Sequence, residues 1–252
     1  MVRKAPRPGN ARTLRHRKPL RWADIQLNVK GMKTLSDAFR NYVAVETLDG
    51  KDMYQAEGFG LQEAWKGIIF QSLPPVLHLQ LKRYEYDMQL DAMAKARVIY
   101  THNRAIDNIL VTPKIDDRFE YPLEIDLDEF LDETADRSKS WKYRLHGVLV
   151  HSGSCQGGHY FALIKPDRGT RWLKFDDDRV TPVTDREVLE ENYGGEMLNA
   201  LVPQAQKQVT KAPKRTTNAY MLVYIREVAI NEVLAPLTEQ DTPTHLSKLS
   251  LG

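Results

Sequence analysis

A single cysteine, Cys155, stands in the whole 252-residue chain. One thiol cannot close an internal disulfide, and it cannot supply the two or four sulfur ligands of a structural zinc site. A reduced, intracellular protein of the nucleus or cytosol is therefore expected, with no structural zinc, no metal centre and no cofactor. Long apolar runs are also missing: none approaches the roughly 18 residues that a membrane span requires. The basic N-terminus has no apolar segment behind it, so a secretory leader is not expected either. No internal repeat at solenoid spacing is present.

What is there suits one large globular unit or two small ones: 42% hydrophobic and 28% charged residues, with a mean hydropathy of −0.51. The formal charge of +2 hides an asymmetry. Eight of the 36 basic residues lie in residues 1–21, which hold no acid, leaving 28 against 34 acids in the rest. Residues 1–21 read as a basic, disordered arm. Such an arm can bind nucleic acid or address the nucleus. Without interleaved aromatics, nucleic acid is not expected as a partner.

Local patterns place the elements. Asp24 to Val29 alternates like a half-buried strand, and Lys33 to Tyr42 carries Leu35, Ala38, Phe39 and Tyr42 on one helical face. Val76 to Tyr84 points Leu77, Leu79 and Leu81 one way, with Pro74 and Pro75 at the strand entrance. Strands are expected over Tyr143 to His151, His159 to Lys165, Arg171 to Phe175 and Ala219 to Arg226. Between the last two, Thr184-Asp185-Arg186-Glu187 forms a capping box, with Gly194-Gly195 as the helix stop. Gln204 to Thr217 reads as a loop, and Val228 to Leu237 as a short amphipathic piece in the tail that follows residue 228. Helices mixed with antiparallel strands give an α+β class.

His159 opens one of these strands and Asp176 closes the next, around the turn signal Pro166-Asp167-Arg168-Gly169. A turn centred between Asp167 and Arg168 sets His159 directly opposite Asp176, on one face and about 5 Å apart at Cβ. A histidine held by a carboxylate is the base-and-orienter half of a nucleophilic triad, though a purely structural hydrogen bond has the same appearance. Gly157-Gly158 ahead of His159 would let another backbone pass close by, or would simply make a turn. Asp176-Asp177-Asp178 is costly at a strand end unless one carboxylate finds a partner or all are solvated.

Four segments then share one pattern: Tyr143-x-Leu145-His146-Gly147-Val148-Leu149-Val150-His151-Ser152-Gly153, Gly157-Gly158-His159-Tyr160, Trp172-x-Lys174-Phe175-Asp176-Asp177-Asp178, and Asn218-Ala219-Tyr220-Met221-Leu222-Val223-Tyr224. Together they resemble the histidine box of the ubiquitin-specific proteases. Leu73 to Tyr84 is similar to an earlier palm strand of that family. Asp24 to Leu27, Tyr42 to Glu46 and Gly60 to Ala64 resemble the branch typified by the herpesvirus-associated ubiquitin-specific protease. The likeness runs through about residues 22–245, with gaps. It implies a papain-like fold of thumb, palm and fingers, and hydrolysis after the C-terminal Gly-Gly of ubiquitin on ubiquitinated proteins. By resemblance His159 is the general base, Asp176 orients it and Asp177 supports it. His151, Gly157, Gly158 and Tyr160 line the groove for the ubiquitin tail.

Two departures from the pattern stand out. The family's nucleophile sits in an N-terminal cysteine box, and no such segment occurs in these 252 residues. The match begins near Trp22, so the palm and fingers portion is expected here (22–228), without the thumb. Cys155 sits on the loop before the base, where nothing lowers a thiol pKa as a helix N-terminus would; it is not expected to serve as nucleophile. The chain is thus expected to be inactive alone, and a ubiquitin-binding module without turnover is the alternative. Second, residues 96–114 interrupt the usual continuity, as retained intronic sequence or as a surface loop.

Overall fold

A computed structural model describes residues 2–4, 15–16, 24–56, 58–84, 100–101, 104–105, 114–154, 157–196 and 214–236. Its centre is one eight-stranded sheet made of β1 (Ile25–Asn28), β2 (Val76–Lys82), β3 (Glu124–Asp126), β4 (Lys142–Ser154), β5 (Gly157–Ile164), β6 (Trp172–Asp176), β7 (Arg179–Val183) and β8 (Thr217–Arg226). The order is β7-β6-β5-β4-β8-β2-β1, with β3 on the start of β4. Every pairing is antiparallel except β1 with β2. That parallel pair needs a crossover, and the connection contains α1 (Leu35–Val43).

Alternation dictates which face is covered. In β2, Leu77, Leu79 and Leu81 are buried between exposed His78 and Lys82, and β1 buries Ile25 and Leu27 in the same way. Helix α1 lays Leu35, Ala38 and Phe39 into this layer, where Phe39 stacks on Phe130 at 5.2 Å. Its first turn is closed by reciprocal bonds between Thr34 and Asp37.

Arg83, at the end of β2, has no solvent exposure. Its guanidinium donates to the carbonyls of Ala219, Ile115, Asp117 and Tyr193 at 2.7–3.3 Å, which ties the 115–117 segment and the 193 turn to the sheet. Burial pushes its pKa down to about 10, against the opposing charge of Asp116, then Tyr121 and Asp117.

Several expectations need correction. The helix α2 (Asp185–Leu189) does start at the Thr184–Glu187 box, but it ends well before Gly194-Gly195. Those glycines instead take φ of +80° and +86° in a turn laid against 116–118, where Gly195 N–H donates to the Asp116 carbonyl. Thr217, expected in a loop, is the first residue of β8; residues 204–213 lie outside the described residues. Of the arm, only Val2–Lys4 and Arg15–His16 are described, as short strands in a second sheet with Glu46–Leu48 and Ala64–Lys66; residues 1, 5–14 and 17–21 lie outside the described residues. After β8 the expected amphipathic piece is a 3-10 turn (Glu227–Ala229) followed by α3 (Ile230–Val233).

Within 96–114, Tyr100–Thr101 pairs with Arg104–Ala105 as a small hairpin. Lys114 does not belong with an added loop. It bridges Tyr84 in antiparallel register, Ile115 N–H donates to the Arg83 carbonyl, and the Lys114 side chain is buried. No helix among the described residues is long and apolar enough to cross a membrane.

Candidate active site

The strands β4, β5 and β6 carry the candidate residues side by side. Gly157 to Ile164 continues from β4 with Ser152 opposite His159, His151 opposite Tyr160 and Gly153 opposite Gly158. The next hairpin holds Ala162 opposite Phe175 and Leu163 opposite Lys174. Continued outward, that register sets Asp176 two residues away from the position opposite His159, so the expected direct facing is corrected to a diagonal one. The cause is the turn. Asp167 Oδ1 accepts from Gly169 N–H at 2.7 Å, and this side-chain turn moves the centre one residue along the chain. An offset of two keeps both side chains on one face, and a diagonal contact is within reach.

The contact is made. His159 Nε2 lies 2.5 Å from Asp176 Oδ1, and Lys174 Nζ is 2.6 Å from Asp176 Oδ2. Lys174 thus holds one oxygen while the imidazole takes the other. These bonds, Lys174 first and His159 second, lower the Asp176 pKa below its ordinary 3.8. The same Asp176 bond, with added pull from Asp176 and Asp177, raises the His159 pKa above 6.5 against the opposing Lys174 charge. Among the described residues Nδ1 of His159 has no hydrogen-bond partner, and the side chain is 47% exposed. One nitrogen is fixed by an acid and the other is open to take a proton.

Asp177 and Asp178 form the two-residue connection of the β6–β7 hairpin, closed by Asp176 opposite Arg179. Asp177 sits at φ +53°, where aspartate is tolerated in tight hairpins. Its carboxylate, Asp176 and a His159 nitrogen all lie within 4.8 Å of one another. That spacing can hold a cation, although Lys174 already occupies one Asp176 oxygen.

His151 is buried, with Nδ1 3.3 Å from the Tyr84 hydroxyl and its ring 4.6 Å from that of half-exposed Tyr160. Burial, then the charge of Lys114, lowers its pKa, so it is neutral at pH 7. Its ring also accounts for Gly158. A Cβ there would come 2.5 Å from the Ser152 carbonyl oxygen and 2.8 Å from His151 Cε1. Around Gly157 a Cβ would meet nothing within 4 Å. The paired glycines therefore differ: one is required by packing inside the protein, the other faces open space. Cys155 lies outside the described residues.

A family profile described as "Ubiquitin carboxyl-terminal hydrolase" matches residues 14–224. The chain belongs to the ubiquitin carboxyl-terminal hydrolase family. It is 53% identical to "Ubiquitin carboxyl-terminal hydrolase 15" of Schizosaccharomyces pombe over 223 residues, covering 88% of this chain and 18% of the relative. "Ubiquitin carboxyl-terminal hydrolase 7" of Drosophila melanogaster is 41% identical, with 88% and 17% covered. The chain thus spans about a fifth of the length of these curated relatives. A solved "SAGA Ubp8/Sgf11/Sus1/Sgf73 DUB module bound to ubiquitin aldehyde" shares the fold, with a TM-score of 0.55 at 24% identity over 82% of this chain and 36% of that one. The α+β, papain-like catalytic-domain fold of ubiquitin-specific proteases is therefore the fold of this chain.

Sequence reasoning missed three participants of the site. Lys174 was legible in principle, because it lies two residues before Asp176 and a strand repeats its face every second residue. Tyr84 and Lys114 were not, since they reach His151 from a distant segment.

Proposed function

We propose that this chain supplies the base wall of a cysteine-type deubiquitinase, which hydrolyses the bond after the C-terminal Gly-Gly of ubiquitin. The observation that carries the reading is the His159–Asp176 contact with Nδ1 left open. In it Asp176 fixes the tautomer and stabilises the imidazolium, while Nδ1 takes the proton of a thiol held on the facing wall. Asp177 adds charge to the same end. His151, Gly157, Gly158 and Tyr160 form the groove for the ubiquitin tail; the open space around Gly157 and the exposed Tyr160 ring support that role. The thiol comes from outside these 252 residues, and Cys155 does not replace it. The motifs at Asp24 to Leu27, Tyr42 to Glu46 and Gly60 to Ala64 support a place in the herpesvirus-associated branch. Its partners are ubiquitin and ubiquitinated proteins inside the cell, in the nucleus or cytosol.

The test has two arms. The 252-residue chain alone should leave a ubiquitin–fluorophore amide uncleaved. Fused behind a thumb segment with its cysteine box from a relative, it should cleave. In the fusion, His159→Ala should abolish turnover, and Asp176→Asn should weaken it and move the His159 midpoint down toward 6.5. Cys155→Ser should change little. A fusion that folds and binds ubiquitin but stays inert would replace the enzyme reading by a binding module.

A further inference from the structure

Beneath the base strand lies a charged group that the reaction does not touch. The Lys114 side chain is 3% exposed. Its ammonium donates to the carbonyl oxygens of His151 at 3.2 Å and Gly153 at 3.3 Å, and also to that of Thr216. Three donors meet three acceptors, which is the full capacity of an ammonium. Asp116 Oδ1 lies 3.5 Å away as counter-charge and is itself held by Asn218 Nδ2 at 2.7 Å. Asn218 is fully buried and pairs with His151 in the β4–β8 ladder. One cation thus joins the segment entering from residue 114, the end of β4 and the start of β8.

The location gives the clamp its consequence. Residues 151–153 of β4 are the rail on which β5 begins: Ser152 pairs with His159, and Gly153 with Gly158. The ladder between β5 and β6 runs only over Ala162–Ile164, so the stretch of β5 from Gly157 to Phe161 has no pairing on that side among the described residues. The segment that carries His159 therefore depends on β4 for its place. Asp176 is held independently, by its pairing with Arg179 of β7 and by Lys174.

We infer that Lys114 is a positioning residue of the proposed reaction: its ammonium fixes the end of β4, which keeps His159 within reach of Asp176. The inference rests on the reading of His159 as the base. Removing the ammonium takes a shared donor from three backbone carbonyls at the strand end, leaving the Thr216 carbonyl the Gly153 N–H, and losing these bonds loosens the end of β4 locally. His159 can then swing away from an orienter that does not follow. Burial lowers the Lys114 pKa, while the charge of Asp116 opposes the shift, so the amine keeps a paired acid beside it. The charged and titratable groups around the two histidines are Asp176, Asp177 and Lys174 at His159, and Lys114, Asp116 and Tyr84 at His151.

The experiment uses the whole 252-residue chain and needs no turnover. The imidazole signals of His159 are followed through a pH titration by NMR in wild type and in Lys114→Met, which keeps the length of the side chain and removes the charge. Amide exchange is read in parallel. The expected result is a His159 midpoint that falls from its raised value toward 6.5, with exchange at Ser152, Gly153 and Gly158 faster by about tenfold or more. Amides of β1 should be unchanged. A role in stability alone would speed exchange throughout and leave the midpoint where it is. A folded Lys114→Met protein whose His159 titrates as in wild type overturns the inference. If Lys114→Met does not fold, Lys114→Arg decides, because a planar guanidinium keeps the charge but cannot serve three carbonyls around one point. A lowered midpoint there supports the clamp, and an unchanged one refutes it. A wild-type midpoint already at the ordinary value would instead sink the reading of His159 as a paired base.

Discussion

Replacing Gly158 by alanine tests how the base strand is packed. The added Cβ would lie 2.5 Å from the carbonyl oxygen of Ser152 and 2.8 Å from Cε1 of His151. Ordinary contacts of this kind need nearly 1 Å more. Neither obstacle yields easily. Ser152 is part of the β4–β5 ladder, and the His151 ring is buried between Tyr160 and the Tyr84 hydroxyl. Overpacking a tight site costs about 1–3 kcal/mol. Losing the Tyr84–His151 hydrogen bond, as the ring turns, adds roughly 1 kcal/mol. The sum is about 2–4 kcal/mol, a large part of the roughly 5–15 kcal/mol that holds a typical domain. With a urea slope of about 2 kcal/mol/M, the midpoint should fall by roughly 1–2 M with the slope unchanged. Gly157→Ala is the control: a Cβ there meets nothing and φ is ordinary, so the midpoint should stay or rise slightly as the unfolded chain loses entropy. Adding His151→Ala to Gly158→Ala should recover part of the loss. Equal midpoints for the two single alanine variants would refute the packing argument.

Arg83→Met should cost about 3–5 kcal/mol in chemical unfolding, because four carbonyls lose a buried charged donor at once; a loss below about 1 kcal/mol would contradict it. Acidification should remove the contribution of two histidines. His146 and His151 both have pKa values lowered chiefly by burial, so the unfolded state binds protons first, and their contribution is present above 6.5 and lost as pH falls below it. His159, whose pKa is raised, works in the opposite sense, so the test is the difference: the urea midpoint between about pH 7.5 and 5 should fall less, or rise more, in His146→Gln than in wild type. Deleting residues 96–113 should leave the fold intact and raise stability by about 0.9 kcal/mol, since a shorter connection between Tyr84 and Lys114 closes at lower entropy cost. Extending the deletion to Lys114 should reverse the gain, as measured by thermal unfolding.

The positions of the main elements followed from sequence alone. Alternation marked β2 through Leu77, Leu79 and Leu81, the apolar face from Leu35 to Tyr42 marked α1, and the capping box at Thr184 lies where α2 begins. The Thr34–Asp37 box that opens α1 was not read from the sequence and appeared only in the structure. That His159 and Asp176 share a face also followed, because a strand's period of two survives any even slip in register. The size of the slip did not, since it depends on Asp167 capping Gly169 within the turn.

Contacts between distant segments were decided only by tertiary structure. Arg83 continues the buried face of Leu77, Leu79 and Leu81, but the carbonyls that meet it come from residues 115, 117, 193 and 219, which only the packed structure brings together. Lys114 closes a stretch that reads as an insertion, and it becomes a clamp only once β4 and β8 bring three carbonyls to one point. A lone charge in a sequence carries no record of which backbone groups will surround it. Periodicity records what a residue shares with its near neighbours along the chain, whereas the partners of a buried cation are set by the packing of strands far apart in sequence.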